Sequence, residues 1–416
     1  MARLARIRLA GMIAATVTCA AAATEASAQS QDGSIVLNNQ LQMGDVIAGE
    51  TLTVVDASSQ VNVSVSAQGN SFSGIVENDS IDVQSTQEMQ GDAVATADMS
   101  FGGDTEGAVT AVIQAGGNYL AAGGYDADLT VHASQLNTGG EVSATSSIDG
   151  GTARLIGGVA VTTSAISNTV SIGGQGSTLS GVVSQGSSAS VRSSNYAATQ
   201  YIPAQGVFSS LATANGFAAT SGAASNQSLY VRQRSTGDVI EAGVSANAGN
   251  AWDLAGRARA TGNTAAFTNQ GGALIAETDQ ANSAAVRATA ITTAYDFGRA
   301  EAHARAAGND VSVGNNDVYV EIDNTQLNTG GVEASATFSG NTGYDAYVGA
   351  DAVGNSVVGY ACSECAGRLN AANVQQNDGD VSATTSVNVA GSGRAAMTGA
   401  NAVGNAATFY VSRPSH

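Results

Sequence analysis

The sequence contains no lysine, only two prolines and few aromatic residues. All 15 basic residues are arginines, and they stand against 34 aspartates and glutamates, which gives a formal net charge of −19. Such a chain repels phosphate backbones and anionic lipid headgroups, so no nucleic-acid partner is expected. The lack of lysine also argues against a phosphate-binding loop, whose lysine contacts the bound phosphates.

Cysteine and histidine are equally scarce. Only Cys362 and Cys365 lie outside the first 28 residues, and one Cys-x-x-Cys pair cannot form a disulfide framework for a chain of this length. The pair is either a small disulfide that pins one turn or a redox pair, and export to an oxidising compartment favours the disulfide. The histidines, His132, His303 and His416, are far apart in the chain. We therefore predict no metal site, no cofactor and no catalytic cluster.

The N-terminus has the order of features found in a secretory signal peptide. Arg3, Arg6 and Arg8 precede an uncharged, alanine-rich stretch, and the small residues of Ala26-Ser27-Ala28 follow it. This order predicts that residues 1–28 are removed on export and that 29–416 form the mature protein. Without the three arginines and the one acid of residues 1–28, the net charge is 12 − 33 = −21.

A repeat of 46 to 50 residues runs through the mature chain. Its clearest marker is the motif Ala-x-Ala-x-Gly-Asn, with an alanine three residues before each asparagine. Eight copies, four of them looser, end at Asn70, Asn118, Asn168, Asn215, Asn263, Asn309, Asn355 and Asn405. Eight copies at near-constant spacing indicate a stacked repeat architecture, in which no single repeat buries its own apolar face.

A second motif lies about half a period before the first. It begins at a glutamine and continues through glycines to a Val-x-Ala or similar segment, with copies that begin at Gln40, Gln87, Gln135, Gln233, Gln326 and Gln376. Around both motifs apolar and polar residues alternate, as at Val63, Val65 and Ala67. Alternation with a period of two is typical of strands with one buried face.

These patterns predict an all-β fold, a single β-solenoid domain of about eight repeats over 29–416. The asparagine at the same place in every copy is expected to form a ladder in which each amide bonds to the next. If each period holds two coils, about 16 coils at a spacing of about 4.8 Å give a rod near 75 Å long. A stack of small β-sandwiches is the alternative fold. The segment 173–205, rich in glycine and serine, is expected to be an irregular loop or insertion.

Two function classes fit an exported β-solenoid: a structural adhesin or anchor, and a secreted β-helix enzyme that acts on polysaccharide. An enzyme of the second class needs a strong base or two carboxylates at a defined separation. The arginines are spread along the chain, and no acidic residue stands in a motif that marks it as catalytic. We therefore expect a non-enzymatic protein. The last coil ends almost at the terminus, with apolar Phe409 and Val411, so the uncapped ends predict self-association.

With its signal segment, its length and its lysine-free Gly/Ala/Asn repeats up to Asn405, the chain resembles the holdfast-anchoring HfaD family of stalked alphaproteobacteria. The resemblance covers essentially the whole chain and transfers no catalytic residue. It implies a protein associated with the outer membrane at the cell surface, exported with the help of an outer-membrane secretion lipoprotein. It also implies assembly with a small curli-like anchor protein and attachment of an adhesive polysaccharide, the holdfast.

Overall fold

The computed structural model describes residues 33–316, 319–362 and 368–412. The predicted signal peptide, Cys365 and His416 lie outside these ranges, and so does the side chain of Cys362, whose backbone ends a strand. The described residues contain no helix, and strands account for 85% of the structure. The prediction of an all-β solenoid is confirmed.

The described residues form 21 strands. In the first four coils they are β1 (Ser34–Gln42), β2 (Val46–Val54), β3 (Val61–Glu77), β4 (Ser80–Met89), β5 (Ala93–Phe101), β6 (Asp104–Thr105), β7 (Val109–Tyr125), β8 (Asp128–Asn137), β9 (Glu141–Leu155), β10 (Val159–Gln175), β11 (Thr178–Ser187) and β12 (Ser190–Gly222). In the last four coils they are β13 (Asn226–Ser235), β14 (Val239–Asn269), β15 (Ala273–Asn282), β16 (Ala285–Asn315), β17 (Tyr319–Asn328), β18 (Val332–Cys362), β19 (Arg368–Asn377), β20 (Val381–Val389) and β21 (Ala395–Ser412).

All strands pair in parallel with the next coil and form two sheets. The first sheet has one strand from each coil, in the order β1-β4-β8-β11-β13-β15-β17-β19. The second sheet has 13 strands and holds the rest of each coil. In coils four to seven that rest is a single bent strand, as in β14.

Each period of the sequence forms one coil, so the expectation of two coils per period is wrong. Asn118 pairs with Asn168 in the second sheet, and Gln135 pairs with Gln185 in the first. The two motifs of a period therefore lie in different sheets of the same coil and do not stack on each other. Eight coils at a spacing of about 4.8 Å make a column of only about 34 Å.

The interior consists of two apolar columns that meet at the Gly-Asn motif. In the fifth coil, Ala258 and Ala260 belong to one column, and Ala265 and Phe267 belong to the other. The buried positions are even-numbered before the motif and odd-numbered after Asn263, so the inward face changes parity there. Small side chains dominate because the facing strands leave little room between them.

The segment 173–205 is not a loop, contrary to the sequence-based expectation. It lies mainly in β10, β11 and β12, with register shifts between Thr199 and Tyr201 and between Ile202 and Gln205. One of its glycines allows close packing: at Gly181, with φ of 140°, a Cβ would collide with the carbonyl of Val131 in the preceding coil. The glycine-rich composition of this segment therefore reflects tightly stacked strands and not an irregular loop.

Candidate functional surfaces

The eight motif asparagines stand in one column along the solenoid. Each of the first seven, Asn70 to Asn355, donates a hydrogen bond from Nδ2 to Oδ1 of the asparagine in the next coil, at 2.7 to 2.8 Å. Asn118 to Asn355 are 0 to 1% exposed, so the bonds form away from water. Buried amide groups are stable only when their hydrogen-bonding capacity is used, and the ladder uses it.

In the seven asparagines from Asn70 to Asn355, the second hydrogen of the amide bonds to the backbone of the first sheet. Asn263 Nδ2, for example, donates to the carbonyl of Ala281 at 2.9 Å. The equivalent contact is made by Asn70, Asn118, Asn168, Asn215, Asn309 and Asn355. The column therefore ties the two sheets together as well as linking the coils. Its role is structural: the groups are satisfied and buried, and they present no reactive atom.

A glycine precedes the asparagine in six of the eight coils. At Gly117, Gly262, Gly308 and Gly354 a Cβ would collide both with a carbonyl of the next coil and with an asparagine of the first sheet. A Cβ on Gly262 would lie 2.7 Å from Asn282 Oδ1, and one on Gly308 would lie 2.5 Å from Asn328 Oδ1. In the third coil, where serine replaces this glycine, the facing residue is also a serine, and Ser167 Oγ lies 2.8 Å from Ser187 Oγ. In the third coil the larger residue before the asparagine is thus matched by a smaller residue in the facing strand.

A second ladder, of glutamines, was missed by the sequence-based reasoning. It contains one glutamine from every coil of the first sheet: Gln40, Gln87, Gln135, Gln185, Gln233, Gln280, Gln326 and Gln375. The eighth member is Gln375 and not Gln376, because Gln326 pairs with Gln375 across the sheet. The spacing of 46 to 50 residues was visible in the sequence, but Gln185 and Gln280 stand in poorly matched copies of the motif.

The two ladders run in opposite directions. Asparagine Nδ2 donates toward the C-terminal coil, whereas glutamine Nε2 donates toward the N-terminal coil, as in Gln135 to Gln87 at 2.8 Å. Each glutamine also donates to a backbone carbonyl of the second sheet, such as Thr169 O from Gln135 at 2.8 Å. The amide dipoles of the two columns therefore oppose each other along the axis.

The ends of the solenoid carry the unpaired groups of both ladders. At the first coil, Asn70 Oδ1 and one hydrogen of Gln40 Nε2 have no partner among the described residues. At the last coil the same holds for Asn405 Nδ2 and Gln375 Oε1. In the asparagine column the first coil offers a free acceptor and the last coil a free donor. In the glutamine column the first coil offers the donor and the last coil the acceptor.

The end coils also leave apolar groups accessible. The core is only partly covered at Val46, Leu52 and Val54 at one end and at Val381, Val387 and Val389 at the other. The first coil carries seven exposed large apolar side chains: Ile35, Leu37, Leu41, Met43, Ile47, Val55 and Ile75. Exposed strand edges with apolar groups are typical sites of association with another chain.

An aromatic corner lies on the outside of the second sheet, where β14, β16 and β18 bend. Trp252, the only tryptophan in the sequence, is 62% exposed, and Tyr344 is 50% exposed. Their ring centroids are 6.0 Å apart with an interplanar angle of 72°. The guanidinium of Arg394 lies 5.5 Å from the centre of the Tyr344 ring and forms a bidentate pair with Asp345.

Ion pairs between neighbouring coils lie on the outer surface. Glu301 accepts hydrogen bonds from Arg257 at 2.9 and 3.1 Å and from Arg299 at 3.2 Å. The Arg257 hydrogen bonds, followed by the nearby positive charges, hold the pKa of Glu301 below its usual range against the opposing effect of burial. Arg394 in the same way lowers the pKa of Asp345, and Arg154 lowers that of Asp104. These carboxyl groups are therefore held ionised.

The two histidines within the described ranges, His132 and His303, lie in different sheets and on different coils. His132 is exposed on the first sheet, and His303 Nε2 lies 3.3 Å from Asp351 Oδ2 on the second. In the described part of the chain, no three histidine, cysteine or acidic side chains converge in a way that would hold a metal ion. The proposed Cys362–Cys365 pair lies outside the residues whose side chains are described and stays a prediction.

A comparison with protein-family models matches the family HfaD, holdfast attachment protein D, over residues 55–331. The match covers 277 of 416 residues, about two thirds of the chain, and spans the second to sixth coils and parts of the first and seventh. The chain belongs to the HfaD family. No curated protein and no solved structure matches it.

Membership of the HfaD family gives the solenoid a role in holdfast attachment at the cell surface. It favours a structural role over a catalytic one, in agreement with the buried and satisfied ladders. None of the described segments is a helix long and apolar enough to cross a membrane.

Proposed function

We propose that the protein is a structural anchor that holds an adhesive polysaccharide, the holdfast, on the outer membrane. Membership of the HfaD family is the observation that carries this proposal. The fold suits the task because parallel pairing continues without interruption through eight coils, with two internal amide ladders. Such a column transmits a pulling force through many backbone hydrogen bonds that share the load.

The alternative, a secreted β-helix enzyme, is less well supported. A glycoside hydrolase needs a carboxylic acid whose pKa is raised so that it can donate a proton at neutral pH. Among the described residues, the carboxyl groups with a shifted pKa are Asp104, Glu301 and Asp345, and arginines lower the pKa of all three. Incubation of the purified protein with the isolated adhesive decides between the two, because only an enzyme would generate new reducing ends.

We also propose that copies of the protein associate head to tail, through the ends of the solenoid. In that arrangement Asn405 Nδ2 meets Asn70 Oδ1 of the next copy, and Gln375 Oε1 meets its Gln40 Nε2, so both ladders continue with the correct polarity. A head-to-head contact would instead oppose two Asn70 Oδ1 acceptors. A head-to-tail contact does not close on itself and builds open assemblies. The curli-like anchor protein would occupy a terminal edge, and the secretion lipoprotein would act before assembly.

Deletion of the gene tests the anchoring role on whole cells. We expect cells without the protein to attach weakly to surfaces and to shed the adhesive into the medium, while they still synthesise it. Both quantities are measured by counting attached cells and by staining the shed polysaccharide. Normal attachment and normal retention in the deletion strain would show that the protein is not the anchor.

The substitution Asn405→Asp tests the head-to-tail contact. It keeps the acceptor that Asn355 Nδ2 bonds at 2.7 Å but replaces the outward donor by an oxygen, which would oppose Asn70 Oδ1 of the next copy. Asn401→Asp, an exposed position of the same strand, is the matched control because it adds the same charge. We expect size-exclusion chromatography to show loss of high-mass species only for Asn405→Asp; equal assembly of both variants contradicts the ladder contact.

A further inference from the structure

The aromatic corner brings together residues from four successive coils. One column of the second sheet holds Trp252 of coil five, Gly298 of coil six, Tyr344 of coil seven and Arg394 of coil eight. The residues that flank Trp252, Gly298 and Tyr344 pair in register, and the backbone N–H of Arg394 donates to the carbonyl of Tyr344 at 2.8 Å. Three steps of about 4.8 Å make the column about 14 Å long. That length accommodates a short run of sugar rings.

Gly298 is what allows the corner to be continuous. A Cβ at this position would lie 2.9 Å from Cδ2 and Cε3 of the Trp252 indole. Without a side chain, coil six lets the indole of coil five lie across it and reach Tyr344 in coil seven. The tryptophan ring is thus held on the surface by a specific gap and not by burial in the core, since 62% of it remains exposed.

Charged side chains border the rings on one side. Asp253, Arg299 and Asp345 lie in the next column, with Arg394 bound to Asp345 through Nε and Nη2. On the other side a groove runs along the bend and is lined by Tyr201, Asn250, Asp296, Thr342 and Ser392. The corner therefore offers flat apolar faces at its centre and hydrogen-bond donors and acceptors of fixed orientation at its rim, the arrangement of a ligand site.

These features fit one class of ligand. The C–H face of a pyranose ring with equatorial substituents is apolar and flat, and it carries a partial positive charge that suits the negative face of an aromatic ring. Its hydroxyl groups project sideways, where carboxylates and guanidinium groups bind them. The net charge of −19 and the absence of lysine disfavour a polyanionic chain.

On these grounds, and resting on the anchoring role proposed above, we propose that the aromatic corner of Trp252, Tyr344 and Arg394 binds an uncharged pyranose polysaccharide. The rings stack on Trp252 and Tyr344, and the hydroxyl groups bond to the Asp345–Arg394 pair. The binding lies on the side of the solenoid, so it leaves both ends free for association with other copies.

Fluorescence titration tests the site directly, because Trp252 is the only tryptophan and reports its own surroundings. The probes are cellohexaose and chitohexaose as uncharged chains with equatorial substituents, and a hexamer of mannuronic acid as the anionic chain. We expect a shift or quenching of emission with at least one uncharged probe and weaker or no response to the anionic one. A stronger response to the anionic probe, or no response to any probe, overturns the proposal.

Substitutions separate the site from the rest of the surface. Their binding is followed by calorimetry because two of the variants remove the fluorophore. Tyr344→Ala and Trp252→Ala should weaken binding about tenfold or more, and Trp252→Phe should retain part of it. Tyr125→Ala is the matched control, since Tyr125 lies on coil two and is 49% exposed, close to the value for Tyr344. Equal affinity of all four variants and the parent protein contradicts the assignment.

A whole-cell measurement keeps this inference distinct from the anchoring role. If deletion of the gene releases the adhesive but cells with Trp252→Ala retain it, and the purified variant binds sugar normally, the anchor is correct and the site is wrong. If deletion leaves attachment unchanged, the anchoring role is wrong whatever the corner binds in solution. Release of the adhesive by both deletion and Trp252→Ala, with the variant assembled at the surface, supports both.

Discussion

The amide ladder allows a sharp test at Asn263, in the middle of the solenoid. This side chain is 0% exposed and makes three hydrogen bonds. Oδ1 accepts from Asn215 at 2.8 Å, and Nδ2 donates to Asn309 Oδ1 at 2.8 Å and to Ala281 O at 2.9 Å. In Asn263→Asp the bond from Asn215 is kept, because one carboxylate oxygen takes the place of Oδ1. The other carboxylate oxygen takes the place of the donor Nδ2 and faces two acceptors, Asn309 Oδ1 and Ala281 O.

The cost follows from these contacts. Two buried acceptors lose their donor, at roughly 1–3 kcal/mol each, so about 2–6 kcal/mol of the unfolding free energy is lost before the charge is counted. A buried carboxylate without a counter-charge adds to this cost and raises its own pKa in the folded state. The protonated form has one O–H group and restores one of the two donor bonds.

The pH dependence of the Asn263→Asp variant has a defined sign. The folded variant binds the proton of the introduced carboxyl group more tightly than the unfolded chain, in which an aspartate pKa is about 3.9. The variant is therefore least destabilised below that pH, and it loses stability relative to the parent as pH rises from there to the raised folded-state pKa. Above that pKa the full loss is reached.

Urea unfolding followed by circular dichroism, at several pH values, measures this difference. Asn263→Ala is the first control, because it also removes the donor but adds no charge, so its loss should not vary with pH in this way. Asn401→Asp is the second, because it places the same charge on an exposed position. If Asn263→Asp is as stable as the parent at neutral pH, or if its deficit matches that of Asn263→Ala at every pH, the ladder does not carry the stability assigned to it.

Three further predictions follow from the core, the surface and the end of the solenoid. Ala352 is 0% exposed and lies between Ala306 and Ala402 of the neighbouring coils. The substitution Ala352→Asp should therefore lower the unfolding free energy by about 3 kcal/mol or more. An unchanged thermal midpoint would show that the assignment of Ala352 to the buried face is wrong. Glu301→Gln should lower the unfolding free energy by about 1 kcal/mol or less near neutral pH, because the arginines that pair with Glu301 are largely exposed. Since the folded-state pKa of Glu301 is lowered, the difference in stability from the parent should vanish as pH falls through that pKa. A difference that does not depend on pH would refute the ion-pair account. Removal of residues 406–416 deletes the C-terminal part of β21, including the carbonyl that Gln375 bonds at 3.0 Å, and should abolish high-mass complexes and release the adhesive from cells. A truncated protein that reaches the surface, assembles and retains the adhesive contradicts end-on pairing.

Several features of the fold could be predicted because they depend on local pattern. The alternation at Val63, Val65 and Ala67 predicted strands with one buried face, and these residues are 2 to 6% exposed. The loop predicted for 173–205 was wrong because glycine permits both turns and close strand stacking, and the sequence does not distinguish the two uses. The glutamine ladder was missed because only half-matched motifs surround some of its members.

The sequence by itself determined the period, the strand character and the alignment of the eight asparagines, since each of these depends on spacing along one chain. Only the tertiary structure decided that one period makes one coil, because the register of a parallel sheet depends on how two distant strands meet. It also decided the opposite polarity of the two ladders, which depends on which atom of each amide faces the next coil. The aromatic corner, too, was decided only by the tertiary structure. Trp252 and Tyr344 are 92 residues apart in the chain. Their rings come to 6.0 Å because parallel pairing stacks the coils and Gly298 leaves room between them.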